Sequence, residues 1–154
     1  MNVVLASDHV GQPLKQHLVE FLKANGYGVL DLGVNDPTVR ADYPDSASRA
    51  VDALQDGRAD RAILVCGSGI GISIAANKFD GIYAAVCHDT YSAHQGVEHD
   101  QMNALCLGSR IVGPAVAEEL ALAFLKAEPM NEPRYIARFE KVQAFERGER
   151  PDKA

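Results

Sequence analysis

The chain has 154 residues, a net charge of −6, a hydrophobic fraction of 47% and a charged fraction of 23%. This length and composition predict one domain over residues 1–154 with a substantial core. The acidic balance and the lack of a basic stripe argue against binding to nucleic acid. No apolar run is long enough for a membrane span, and residues 1–8 do not resemble a signal peptide, so we expect no membrane contact. The three cysteines are odd in number and lie in apolar segments, which favours a reducing cytoplasm over a disulfide framework.

Apolar runs alternate with stretches of helical periodicity along the whole chain. Strands are predicted at residues 3–6, 28–32, 62–66, 82–87 and 104–107. Helices are predicted at residues 14–24, 44–54, 71–77, 92–97, 114–126 and 133–147. This alternation favours a five-stranded parallel sheet covered on both faces, that is, a single doubly wound, Rossmann-like α/β domain.

The usual strand order of such a sheet, 2-1-3-4-5, predicts where a ligand binds. Ligands occupy the crevice at the carboxyl ends of the strands where the order reverses, here between the first and third strands. Those strands end in Ser7-Asp8-His9 and Cys66-Gly67-Ser68. We therefore expect Asp8, His9 and Cys66 to face one crevice, with Arg110 farther along the same rim.

The segment 64–74, LVCGSGIGISI, combines a strand end, a glycine-rich turn and the start of a helix. The N–H groups of such a turn stabilise a phosphate or a developing negative charge. Cys66 is the last strand residue beside this turn, a position that favours the thiolate. The spacing matches neither a Walker loop nor a dinucleotide fingerprint, so an enediolate or a sugar hydroxyl is a better ligand for this turn than a pyrophosphate. The alternative is a tight turn with positive φ next to a small buried cysteine.

Other polar residues have both a functional and a structural interpretation. Asp8 lines the crevice, caps the following helix, or does both. His99 suits general acid catalysis, and a solvated loop histidine is the alternative. Arg134 and Arg138, four residues apart on the last helix, can bind a phosphate together or pair with nearby glutamates as solvated charges. The histidines and cysteines lack the spacing of metal ligands, so no metal site is predicted.

Three motifs are informative when they are considered together. They are SDHVG at 7–11, DYP at 42–44 and CGSGIGISIAANK at 66–78, with further matches at 91–93, 99, 103 and 108–113. This combination resembles the type B ribose-5-phosphate isomerases, a family that includes the galactose-6-phosphate isomerase subunits. The resemblance covers nearly the whole chain.

The resemblance implies an aldose–ketose isomerase that interconverts ribose 5-phosphate and ribulose 5-phosphate through a cis-enediol, without a metal or other cofactor. It implies that Cys66 is the base, that His99 is the acid that opens the furanose ring, and that Ser68 stabilises the enediolate oxygens together with the turn amides. The implied substrate-binding residues are Asp8, His9, Gly67, Gly69, Ile70, Gly71, Asp100, Arg110, Arg134 and Arg138. Among them, His9 is expected near the phosphate and the three arginines on it.

The family builds its site across a dimer, so the resemblance implies a homodimer, or a tetramer of dimers, in which the C-terminal helix extends to the partner subunit. His99 is expected to come from the partner. Two residues depart from the family pattern: Asp100 replaces a common asparagine, and Tyr135 replaces the histidine of Arg-His-x-x-Arg. These departures leave a tetrose, allose or galactose 6-phosphate open as the substrate. A non-catalytic phosphosugar-binding subunit is a further alternative, against which the presence of both Cys66 and His99 argues.

Overall fold

The apolar runs of the sequence form one parallel sheet. The computed structural model describes residues 1–151, and residues 152–154 of the predicted domain lie outside them. The strands are β1 (Asn2–Ser7), β2 (Gly28–Asp31), β3 (Arg61–Cys66), β4 (Ala84–Val86) and β5 (Ala104–Gly108). The helices are α1 (Gln12–Ala24), α2 (Tyr43–Gln55), α3 (Ile70–Ala76), α4 (Thr90–Asp100), α5 (Pro114–Lys126) and α6 (Pro133–Glu146). The predicted α/β class is confirmed.

The strand order is β2-β1-β3-β5-β4, so the predicted order 2-1-3-4-5 is wrong at its last two positions. Every residue of β5 is buried, whereas β4 has three residues that are only partly buried. A fully apolar strand is most stable between two neighbours, and a short, half-buried strand is tolerated at an edge. Strand β5 therefore lies beside β3, with Cys66 opposite Gly108, and β4 is the edge strand.

The strand order also determines which face of the sheet each helix covers. Helices α1, α4 and α5 bury one apolar cluster, and α2 and α3 bury the other. The connection from β3 through α3 passes over β5 to reach β4, and α4 then returns the chain to β5 on the opposite face. In the predicted order, a right-handed crossover would have placed α4 on the same face as α3. His99, on α4, is thus on the other side of the sheet from the helix that follows the glycine-rich turn.

Both faces of the sheet are buried, as expected for parallel strands. Along β1, Val3 and Leu5 face the cluster with α1, α4 and α5, and Val4 and Ala6 face the cluster with α2 and α3. This alternation follows from the two-residue period of a strand. Among residues 1–151, no helix has the length and apolarity needed to cross a membrane.

A buried ion pair connects α1 to the end of β2. Lys15 is fully buried, and its Nζ lies 2.5 Å from Asp31 Oδ1 and 3.1 Å from Asn35 Oδ1. The same carboxylate oxygen accepts the N–H of Gly33 at 3.3 Å. A buried ammonium group is costly unless it is paired, so these contacts fix the chain after β2 against α1.

Replacing Asp31 with alanine should strongly destabilise the fold, because Lys15 would keep its buried charge without a counter-ion. We expect the Asp31→Ala variant to lose about 3 kcal/mol of the free energy of unfolding, measured by urea denaturation. The matched control is Glu149→Ala, which removes an exposed ion pair with Arg147 and should leave stability nearly unchanged. Equal midpoints for the two variants would contradict a stabilising role of the buried pair.

Candidate active site

The glycine-rich turn lies at the carboxyl end of β3 and directs a donor at Cys66. Gly69 has a φ of 81°, in the left-handed region that favours glycine. Its N–H donates to Cys66 Sγ at 3.2 Å, and Cys66 is only 4% exposed. The N–H of Ile70, the first residue of α3, donates to Ser68 Oγ at 3.3 Å. A buried sulfur atom therefore lies within hydrogen-bond distance of a main-chain donor.

A second turn, at the end of β5, packs against the glycine-rich turn. The Ser109 N–H donates to the Cys66 carbonyl oxygen at 2.9 Å, and the Arg110 N–H donates to the Gly67 carbonyl oxygen at 3.1 Å. Gly108 approaches so closely that a Cβ there would lie 2.8 Å from the Ser68 carbonyl oxygen. Arg110 is thus beside the glycine-rich turn, and its predicted position farther along the rim is wrong because β5 is adjacent to β3.

A cavity of about 360 Å³ opens at this edge of the sheet. Within the described residues it is lined by Asp8, Val10, Tyr43, Cys66, Gly67, Ser68, Gly71, Arg110 and Ile111. The structure therefore brings four polar candidates, Asp8, Cys66, Ser68 and Arg110, together in one cavity. We call these four residues the glycine-turn group. Among residues 1–151, no cluster of three or more His, Cys, Asp or Glu side chains is arranged to hold a metal ion.

Asp8 and His9 are neighbours in sequence but have different surroundings. Asp8 is 8% exposed, and its Oδ1 accepts the N–H of Gly11 at 2.8 Å, so it caps the start of α1 while it lines the cavity. The His9 ring lies against Ala41, with Nδ1 3.1 Å from the Ala41 carbonyl oxygen. Among residues 1–151, His9 is beside the cavity rather than in its lining.

The remaining polar candidates, His99, Asp100, Arg134 and Arg138, lie on α4 and α6, and we call them the helix group. Asp100 and Arg138 line a separate cavity of about 470 Å³, between these helices and β4. A single chain therefore carries the two groups on different parts of its surface.

Within the helix group, His99 and Arg134 both contact Tyr135. The His99 and Tyr135 rings are stacked, with centroids 3.9 Å apart and an interplanar angle of 13°. Gln95 Nε2 lies 2.7 Å from His99 Nδ1. The Arg134 guanidinium donates to the Tyr135 hydroxyl at 2.7 Å and pairs with Glu132 at 2.9 Å.

Two side chains at the glycine turns were not predicted as part of the site. The Tyr43 ring packs against Gly71, where a Cβ would lie 2.8 Å from Tyr43 Cζ, and it forms one wall of the cavity. His88 follows β4, and its Nε2 accepts the N–H of Gly108 at 3.0 Å. The DYP motif at 42–44 was a signal for Tyr43, and the correct strand order would have indicated His88.

Comparison with known proteins identifies the family of this fold and site. The family model described as Ribose/Galactose Isomerase matches residues 3–142, most of the chain. The chain belongs to the ribose/galactose isomerase family. The resemblance inferred from the motifs is confirmed, and the chain is a sugar-phosphate isomerase of this family.

Members of the family resemble the chain along most of its length. Ribose-5-phosphate isomerase B of Escherichia coli (strain K12) is 42% identical over 144 residues, which are 94% of this chain and 95% of that protein. D-erythrulose-4-phosphate isomerase of Pectobacterium atrosepticum is 38% identical over 128 residues, 83% of this chain and 84% of that protein. The solved structure of ribose-5-phosphate isomerase B from Clostridium thermocellum has a TM-score of 0.92 and 41% identity, over 96% of this chain and 99% of that one.

Alkylation should distinguish Cys66 from the other two cysteines. Burial and the nearby Asp89 raise the pKa of Cys87 to about 11, and burial raises the pKa of Cys106 as well. At about pH 8 both thiols are therefore protonated, and a protonated thiol is a poor nucleophile. We expect iodoacetamide to modify Cys66 first in the folded protein, measured by peptide mass spectrometry. All three cysteines should react in urea, and equal labelling of Cys87 and Cys66 in the folded state would contradict this prediction.

Proposed function

We propose that this family member interconverts ribose 5-phosphate and ribulose 5-phosphate through a cis-enediol. The observation that carries the proposal is the position of Cys66 Sγ, in the lining of a cavity and with the Gly69 N–H directed at it. The similarity to ribose-5-phosphate isomerase B proteins supports this choice of substrate.

The isomerisation moves the proton on C2, which is acidic because it is α to the C1 carbonyl of the open-chain aldose. The Cys66 thiolate takes this proton and returns it to C1, while a proton passes from O2 to O1 and C2 becomes the carbonyl carbon. Negative charge moves from sulfur to the oxygens of the enediolate. Ser68 and the amides of Gly67, Gly69, Ile70 and Gly71 stabilise that charge.

The other two requirements are ring opening, which the helix group supplies, and phosphate binding, which residues of both groups share. His99 donates a proton to the ring oxygen as the bond between C1 and that oxygen breaks, which is general acid catalysis. The hydroxyl proton on O1 passes to water in the same step, and C1 becomes the carbonyl carbon. Arg110 binds the phosphate from the cavity side, and Arg134 and Arg138 bind it from α6, since guanidinium groups match phosphate oxygens geometrically. His9 contacts the sugar phosphate from beside the cavity, and Asp8 holds the sugar hydroxyls.

The complete site is formed by two subunits, with the glycine-turn group from one chain and the helix group from its partner. The separation of the two groups within one chain supports this arrangement. Exposed apolar side chains near both groups also support it, because Ile70 and Ile74 are 53% and 57% exposed on α3, and Val142 is 46% exposed on α6. Apolar surface of this kind favours association, with α6 extending to the partner.

A four-carbon sugar phosphate is the second candidate substrate. Asp100 lines the same cavity as Arg138, so a carboxylate lies on the surface that contributes to phosphate binding. This negative charge lowers the attraction for a doubly charged phosphate and changes the space and polarity near it. The relative from Pectobacterium atrosepticum supports this candidate.

A panel of four-, five- and six-carbon sugar phosphates at equal concentration tests the function directly. We expect the highest kcat/KM for ribose 5-phosphate, and a loss of about 10³-fold in the Cys66→Ala variant because the base is removed. The matched control is Cys106→Ala, which removes a fully buried thiol that lines neither of the two cavities and should retain activity. Turnover like that of the wild type in Cys66→Ala would exclude Cys66 as the base, and a maximum for a tetrose phosphate would favour the second candidate.

Mixing two inactive variants tests whether the site is shared. In a dimer of Cys66→Ala and His99→Ala chains, one of the two sites receives both intact residues if they come from different subunits. Co-expression of equal amounts should therefore restore about a quarter of the wild-type activity, because half of the dimers are mixed and each has one intact site. If both residues act within one chain, the mixture will be no more active than the separate variants.

A further inference from the structure

Tyr135, on α6, contacts both His99 and Arg134. It is 8% exposed, although Arg134 and Ile136 on either side of it are exposed. The residue is also a departure from the family pattern, in which several members have histidine. A buried aromatic side chain between two functional candidates is a means of fixing both.

The ring of Tyr135 determines the orientation of the His99 imidazole. The two rings are nearly parallel, at 13°, with centroids 3.9 Å apart, so the imidazole can tilt little without losing contact. Gln95 Nε2 lies 2.7 Å from His99 Nδ1 and fixes the rotation of the ring in its plane. Together these contacts restrain the orientation of His99, as is useful for a group that delivers a proton along a defined direction.

The hydroxyl of Tyr135 determines the position of the Arg134 guanidinium. It accepts a hydrogen bond from the guanidinium at 2.7 Å, and the guanidinium carbon lies 4.5 Å from the centre of the ring. Arg134 is otherwise a long, exposed side chain whose Nε pairs with Glu132 Oε2 at 2.9 Å. Such a side chain loses rotamer freedom when it binds a ligand. A guanidinium that is already anchored loses less of this freedom.

We propose that Tyr135 is a positioning residue that orients the ring-opening acid with its ring and the phosphate-binding Arg134 with its hydroxyl. This inference rests on the proposed function, since it takes the roles of His99 and Arg134 from there. It gives the departure at position 135 a specific consequence, because the phenol combines a stacking surface with a neutral hydrogen-bond acceptor for a cation.

Two variants separate the two contacts. Tyr135→Phe keeps the ring on His99 and removes the acceptor for Arg134, whereas Tyr135→Leu removes both. Tyr27→Phe is the matched control, because it removes a phenol hydroxyl immediately before β2, outside the site. Steady-state constants are measured with ribose 5-phosphate, which is a furanose, and with erythrulose 4-phosphate, an acyclic ketose in which no hydroxyl is placed to close a five-membered ring on the C2 carbonyl.

We expect Tyr135→Phe to raise KM for both substrates about 2- to 10-fold at unchanged kcat, because Arg134 must then be ordered during binding. Tyr135→Leu should in addition lower kcat for ribose 5-phosphate about tenfold, and leave kcat for erythrulose 4-phosphate within about twofold. A purely structural role would lower the folded fraction and therefore reduce kcat equally for both substrates at constant KM. That result, or an unchanged KM in Tyr135→Phe, would overturn the proposal.

The variants His99→Ala and Arg134→Ala, measured in the same series, separate this inference from the proposed function. If neither changes a constant while the wild type turns over sugar phosphates, the roles given to His99 and Arg134 are wrong. If both change as expected while the Tyr135 variants behave like Tyr27→Phe, the inference about Tyr135 alone is wrong.

Discussion

Main-chain hydrogen bonds join the ends of β3 and β5, and the geometry of the cavity depends on this junction. Cys66 is in register with Gly108, and the two N–H groups that follow Gly108 donate to the carbonyl oxygens of Cys66 and Gly67. The junction closes only because residue 108 has no side chain to meet the Ser68 carbonyl. The sulfur atom and the amides of the turn are thus positioned by backbone rather than by flexible side chains. Donors fixed in this way need little rearrangement as charge develops, which is the principle of electrostatic preorganisation.

Much of the fold could be predicted because its strands are continuous apolar runs and its helices are amphipathic. The order of the last two strands could not, because hydrophobic periodicity reports burial but not which strand is the neighbour. The predicted strand at 82–87 is only three residues long in the structure, Ala84–Val86, and this shortness identifies β4 as an edge strand. Once β4 is at the edge, Arg110 moves next to the glycine-rich turn and His88 reaches the N–H of Gly108.

The candidate site was predictable to different degrees in its two groups. Within the glycine-turn group, Asp8, Cys66 and Ser68 follow from local signals, since a polar residue at the end of a central parallel strand lies at the ligand-binding edge. The place of Arg110 depends instead on the order of the strands. His99, Arg134 and Arg138 carry no local signal of this kind, because their place depends on how two helices pack. The contact between His99 and Tyr135 joins positions far apart in the sequence, and only the packing of α4 against α6 brings them together.

The inverted order of β4 and β5 has a consequence for how the chain assembles during synthesis. Within residues 1–151, β4 pairs with β5 alone, so it cannot join the sheet before β5 has been made. Until then β3 pairs with β1 on one side only, and its other edge presents unpaired N–H and C=O groups. Strand β5 must insert between β3 and β4, although β4 is the strand that follows β3 in the chain. Pairing of this long-range kind is slow to form. The junction of β3 and β5 beside the cavity is therefore among the last parts of the sheet to form, and a nascent chain that ends before residue 104 lacks this junction.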